Sequence, residues 1–455
     1  MLAPILAVAL HIHPCSYSGL PARCGTFTVP ENRAVSHSRS IALHFVAVAP
    51  QSEPERDAVF AIAGGPGQSA IGAYRDSFGA DGFLHAANRD RTVVLLDQRG
   101  TGASSPLPCD LASDRAAVFA YLFPPATVAS CRRVLAASHD LNAYGTNAAT
   151  ADLDALRRSL GYGKIVLFGG SYGTEFALVY LRRHEPSVAA EVLEGVAPPQ
   201  LLLPLPFPKG AQRALDDLTA SCRGDAACNR NFPHFASEFQ SMLDRARIRG
   251  ISVDGGTISF QVVADAMRHA MYDEYTASYL PLIVHRWAAG DSAPLAKTVG
   301  LLASGITGTL AMGMNLSVTC AESMPFIDEQ RAAAAAVGTF MGTSRYDAQR
   351  AACAIWNVRP APAAFLLPIQ SNVPVLMIGG AADPATPPQF GARTLAGLPN
   401  GRQILVPHGG HDVDSPCTLH VELQFLTGYD AHSVDASCMR SQGRPTFATT
   451  FAGLF

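Results

Sequence analysis

Lysine is almost missing from this chain: Lys164, Lys209 and Lys297 are the only ones among 34 basic residues, and 37 acidic residues leave a net charge of -3. No basic stripe runs along the sequence, which excludes a nucleic-acid-binding role built on phosphate contacts. Long apolar runs are lacking as well. Beyond the first ten residues nothing approaches the ~20 residues needed to cross a bilayer, so a soluble protein with no membrane span is expected. There is no C-x-x-C and no Cys/His cluster at zinc spacing, so neither a metal nor a cofactor is expected. Internal repeats and disordered low-complexity segments are missing too, and the alanine run Ala332 to Ala336 reads as plain helix.

What is present is bulk. With 455 residues, 48% of them hydrophobic, the natural expectation is one large domain carrying a sizeable insertion. Ten cysteines fall in sequence as close pairs: Cys15 with Cys24, Cys109 with Cys131, Cys222 with Cys228, Cys320 with Cys353, and Cys417 with Cys438. The even count reads as a disulfide set, with connectivity open and neighbour pairing giving the shortest loops; free buried cysteines of a cytoplasmic enzyme are the alternative. Met1 to Leu10, MLAPILAVAL, has the apolar centre of a secretory signal but neither a positive n-region nor a clear cleavage site. Together these features favour a secreted or periplasmic location over a cytoplasmic one.

Short apolar strands alternate with helical stretches in two separated blocks, which predicts an α/β fold with a mostly parallel central sheet. Candidate strands are Gly25 to Val29, Ile41 to Ala49, Ala58 to Ala63, Thr92 to Leu96, Ile165 to Phe168, Glu191 to Leu193, Val373 to Ile378 and Gln403 to Val406. A helix is expected over Ala148 to Leu160, capped by Thr146 or Asn147, and another over Thr174 to Arg183. From Pro198 the texture changes to proline-broken and then alanine-rich helical sequence. The expected division is a first core part, 1–197, a mainly helical cap insertion, 198–367, and a second core part, 368–455.

The run Lys164 to Gly173 breaks from a β-branched strand straight into G-x-S-x-G. Such a turn exposes Ser171 on a sharp strand-to-helix elbow, although the pattern alone is weak. A serine hydroxyl needs an imidazole to take its proton and an acid to orient that imidazole. Asp383 follows the Val373 to Ile378 strand, and His411 follows the Gln403 to Val406 strand. Serine, acid, histidine, each just after a strand, is the order expected of an α/β-hydrolase. Glu194 is the rival acid and His408 the rival base. Two backbone donors are needed for the oxyanion: the amide of Tyr172, just past the nucleophile, and that of Gly65 in the Gly64-Gly65-Pro66-Gly67 loop.

These segments, with Asp97-Gln98-Arg99-Gly100-Thr101-Gly102, Cys24-Gly25-Thr26-Phe27-Thr28-Val29-Pro30 and Gly410-His411, together resemble the prolyl aminopeptidase and tripeptidyl aminopeptidase group of α/β-hydrolase serine peptidases. The resemblance implies Ser171 as nucleophile, Asp383 as acid and His411 as base, with Asp97 and Arg99 bracing their loop. Ala63 stands where prolyl aminopeptidases usually carry a histidine, which brings the chain nearer the tripeptidyl members. The implied activity releases N-terminal residues or short peptides through an acyl-enzyme, and the partner is a small peptide with a free amino terminus. Carboxylates in a partly buried pocket would recognise that amine. Glu322, fixed beside Cys320, and Glu175, just beyond the elbow, are the candidates, with Asp273 and Glu274 behind them. A carboxylesterase or other acyl hydrolase on the same scaffold is the alternative, because fold and triad do not choose between ester and amide.

Overall fold

The apolar runs VFAI, VVLL and IVLF are buried along their length, the burial expected of strands covered on both faces of a sheet. The computed structural model describes residues 10–52, 57–79, 82–112 and 114–452; the signal-like segment lies outside these except for Leu10. Nine strands form one sheet: β1 (Leu10–Tyr17), β2 (Leu20–Pro30), β3 (Ser40–Val48), β4 (Val59–Ile62), β5 (Val93–Leu96), β6 (Ile165–Gly170), β7 (Val188–Glu194), β10 (Val375–Gly380) and β11 (Gly401–Val406). Their order is β1-β2-β3-β5-β4-β6-β7-β10-β11. From β5 to β11 every pairing is parallel. The β1-β2-β3-β5 side is antiparallel.

Strand β1 was not foreseen. Its sequence LHIHPCSY is exposed along most of its length, so it lacks the buried face that gives a strand its alternating pattern. It is held at the sheet edge by its register with β2 and by the Cys15–Cys24 disulfide. The helix expected from Ala148 instead spans Thr146–Ser159, with Gly145 at the cap position. The carboxylate of Glu322 explains the early start, because it accepts from the Thr146 backbone N–H at 2.7 Å and so supplies the cap from another part of the chain.

Between β7 and β10 the chain is mainly helical, apart from the small hairpin of β8 (Ile251–Val253) and β9 (Gly256–Ile258). This region builds its own core around Phe239, Met267 and Ile283, and Ala382 and Ala385 of the loop after β10 pack into it. All five cysteine pairs are bridged as neighbours, with Cα–Cα distances of 5.2–5.9 Å. Among the described residues no helix is long and apolar enough to cross a membrane.

Candidate active site

Ser171 sits between the last residue of β6 and the helix Tyr172–His184, at φ 54° and ψ -122°. That backbone region is costly for a residue with a side chain, and such strain persists only where surrounding structure imposes it. A side chain at Gly173 would drive into the Ile62 carbonyl, so the second glycine of the motif lets the helix cross β4 closely. The Ser171 amide donates to the Glu194 carbonyl at 2.8 Å, fixing the elbow to β7.

Asp383 is fully buried. Its carboxylate accepts from the Ala385 amide at 2.7 Å, the Thr386 amide at 2.9 Å, the Thr386 hydroxyl at 2.7 Å, and His411 Nδ1 at 2.9 Å. Burial pushes its pKa up, but the His411 charge and these donors outweigh burial and hold it below the ordinary carboxylate value. For His411 burial favours the neutral ring, while Asp383 more than compensates and raises the pKa above the ordinary histidine value. Gly195, at φ 61°, leaves the space that the imidazole fills; a Cβ there would stand 3.0 Å from His411 Cε1. His408, the rival base, is exposed and faces Asp217 at 3.0 Å.

Ser171, His411, Gly64 and Gly65 line one cavity of about 590 Å3. Gly65, at φ 111°, is in the loop after β4, and the Tyr172 amide opens the helix after Ser171. Asp97 staples the chain beyond that loop, accepting from the Ser69 hydroxyl at 2.6 Å and the Ile71 amide at 3.1 Å. Arg99 is buried and bidentate on Asp152 at 2.6 and 2.8 Å. Neither Asp97 nor Arg99 is among the residues lining the cavity.

The two candidate amine-binding glutamates stand elsewhere. Neither Glu322 nor Glu175 is among the residues lining the cavity. Glu322 caps the Thr146 helix, and its second oxygen accepts from the Thr146 hydroxyl at 2.6 Å, which in turn lies 2.8 Å from the Tyr172 hydroxyl. Burial raises the Glu322 pKa to about 7, and burial plus the nearby Glu322 raises that of Glu175 well above the usual range. Asp273 caps a short helix through the Thr276 amide at 2.7 Å, and neither it nor Glu274 is in the lining. Among the described residues four carboxylates do line the cavity: Asp265, which is paired with Arg268, and Glu194, Asp412 and Asp414. Burial, then the Asp414 charge, pushes Glu194 up to about 8.

Contacts from the helical region reach the loops around these residues, and the sequence carried no signal for the following ones. Arg213 Nη2 donates to the Asp383 carbonyl at 2.8 Å. The His411 amide donates to the Tyr272 carbonyl at 2.7 Å, and the two rings lie 4.8 Å apart. Asn315 Nδ2 donates to the Pro66 carbonyl at 3.0 Å. Glu322 reaches Tyr172 through Thr146. Thr386, by contrast, was open to foresight, since a hydroxyl residue three places after an aspartate is a common local hydrogen-bonding pattern.

Residues 58–221 match the family model described as alpha/beta hydrolase fold, and residues 338–438 match that of TAP-like protein. A proline iminopeptidase of Neisseria gonorrhoeae is 30% identical over 143 residues, 31% of this chain and 34% of that protein. The serine protease Hip1 of Mycobacterium tuberculosis is 26% identical over 279 residues, 54% of this chain and 52% of that protein. The chain thus spans about a third to a half of the length of these relatives. Among solved structures, the proline iminopeptidase of Mycobacterium smegmatis aligns with TM-score 0.40 at 14% identity, covering 90% of this chain and 99% of that one.

Proposed function

We propose that this chain, an α/β-hydrolase fold protein related at modest identity to the α/β-hydrolase peptidases, is an exported serine aminopeptidase acting on peptides with a free amino terminus. The observation that carries the reading is the His411 Nδ1 to Asp383 Oδ2 bond of 2.9 Å in a loop that shares its cavity with the strained Ser171. His411 Nε2 takes the Ser171 proton as Oγ attacks the scissile carbonyl, and the same nitrogen then hands that proton to the departing amine. The amides of Tyr172 and Gly65 receive the oxyanion. Water, deprotonated by His411, hydrolyses the acyl-enzyme and restores Ser171. Glu194, Asp412 and Asp414 replace Glu322 and Glu175 as the groups that meet the substrate ammonium: an incoming cation offsets the burial that keeps Glu194 protonated when the site is empty. The five disulfides support export.

The test compares peptide anilides with free and acetylated amines against short acyl esters, in the parent protein and in Ser171→Ala. Cleavage of free-amine anilides, strongly slowed by acetylation and abolished in Ser171→Ala, is expected. Turnover of esters alone, indifferent to acetylation, would assign the chain to the carboxylesterases instead.

A further inference from the structure

Arg345 lines the cavity from the first turn of the helix Ser344–Trp356, with only 16% of its side chain exposed. One face of its guanidinium stacks on Phe123, with Cζ 4.7 Å from the ring centre. Among the described residues its one ion-pair partner is Asp265, whose Oδ1 is 3.7 Å from Nε, beyond hydrogen-bond distance, and that buried Nε has no hydrogen-bond partner. A guanidinium carries five N–H donors in a planar fork, and burying them unpaired is costly.

Asp265 does not supply the missing partner, because its nearer contacts are to other groups. It accepts from Arg268 Nε at 3.1 Å and faces His269 Nδ1 at 3.3 Å. Arg268 is itself fully used: it is 1% exposed, lies between the Phe207 and Tyr272 rings, and donates to the Tyr272 hydroxyl. Burial and the neighbouring Arg268 charge push His269 below the ordinary histidine pKa, so it adds no cation at neutral pH. Two guanidiniums therefore face one carboxylate on this wall, and the open fork belongs to Arg345.

We propose that Arg345 is a substrate-binding residue that pairs, fork to fork, with a carboxylate carried by the substrate, either the C-terminal carboxylate of a short peptide or an acidic side chain. Planar, bidentate recognition is what arginine does better than lysine. The proposal rests on the aminopeptidase reading only for the kind of molecule that brings the carboxylate.

The experiment measures equilibrium binding by calorimetry to the Ser171→Ala protein. One arm compares Ala-Ala-Ala with its C-terminal amide; the other compares Ala-Glu-Ala amide with Ala-Gln-Ala amide. In at least one arm the acid should bind about 10-fold or more tightly than its neutral partner, the scale of one charged hydrogen-bonded contact. The arm that shows the preference identifies the source of the carboxylate. Arg345→Met should abolish that preference, and Arg345→Lys should keep part of it. If Arg345→Met does not fold, an undiminished preference in Arg345→Lys overturns the proposal. So does equal binding in both arms, a preference that survives Arg345→Met, or no binding of any of the four peptides. Peptide cleavage without acid preference sinks the Arg345 proposal alone; acid preference in a protein that cleaves only esters sinks the peptidase reading alone.

Discussion

The sheet and the helical region solve different problems with the same kind of residue. Asp383, at the C-terminal end of β10, and Glu322, at the end of the helix Met312–Glu322, are both buried carboxylates that accept hydrogen bonds. Asp383 has an imidazole and three further donors, which hold it ionised. Glu322 has one threonine, its amide and its hydroxyl, and no cation among its hydrogen-bond partners; burial raises its pKa to about 7. Burial alone therefore does not decide protonation; the donors gathered around the group do. The sheet contributes a charge that can stabilise an imidazolium, and the helical region contributes a pin that holds two helix starts together.

That contrast is sharpest in Asp383→Asn. Losing the negative charge leaves His411 without the group that orients it, and kcat should fall by about 10^4-fold, the scale seen when such an acid is neutralised. The acid limb of the kcat/KM profile should also move. Because Asp383 raises the His411 pKa, His411 in its proposed role as base would become active only above the ordinary histidine value, and the residual activity of Asp383→Asn should begin at lower pH.

A smaller effect tests whether the helical region acts on the oxyanion loop. Asn315→Leu removes the bond to the Pro66 carbonyl, and kcat should drop by up to about 10^2-fold, the scale of a slight misplacement of catalytic groups. Because Asn315 also lines the cavity, KM must be measured with it. A change confined to KM would mean that the contact serves binding and not the loop.

Stability comes next. Replacing both Cys320 and Cys353 by serine should lower stability by about 4 kcal/mol, the scale for closing a loop of this size, read from denaturant unfolding. The smallest effect belongs to Glu322. Its pKa lies near 4.5 when unfolded and about 7 when folded, so the native state holds the extra proton between these values. Stability must fall as pH rises from about 4.5 to about 7. Glu322→Gln should flatten that slope in a series of thermal melts, and a slope left intact would place its origin elsewhere.

The sheet was legible because its signals are local. An apolar run, a glycine pair and a polar residue just after the strand lie within ten residues of one another at Ser171 and at Asp383, and each reads without knowledge of the rest. The two glutamates expected at the amine stand outside the cavity lining, and their placement was hidden for the converse reason. Glu322 stands two residues after a cysteine in an apolar helix, which says that it is held; that it is held by Thr146, 176 positions away, is a tertiary fact with no local trace. Arg213, Tyr272, Asn315 and Arg345 were invisible on the same ground, since an arginine or a tyrosine in an alanine-rich helix reads as surface. Strand β1 was missed because an exposed edge strand has no buried face to set a period.

The Cys320–Cys353 bridge joins the helix that carries Asn315 and Glu322 to the helix that carries Arg345 and Gln349. One covalent link thus ties the helix that holds the Pro66 carbonyl and the start of the Thr146 helix to the helix that carries Arg345 of the cavity wall. Reduction of that bridge would leave the pairing of the strands untouched while loosening this wall. On the proposed reading, the redox state of the compartment in which the chain folds would then bear on its selectivity.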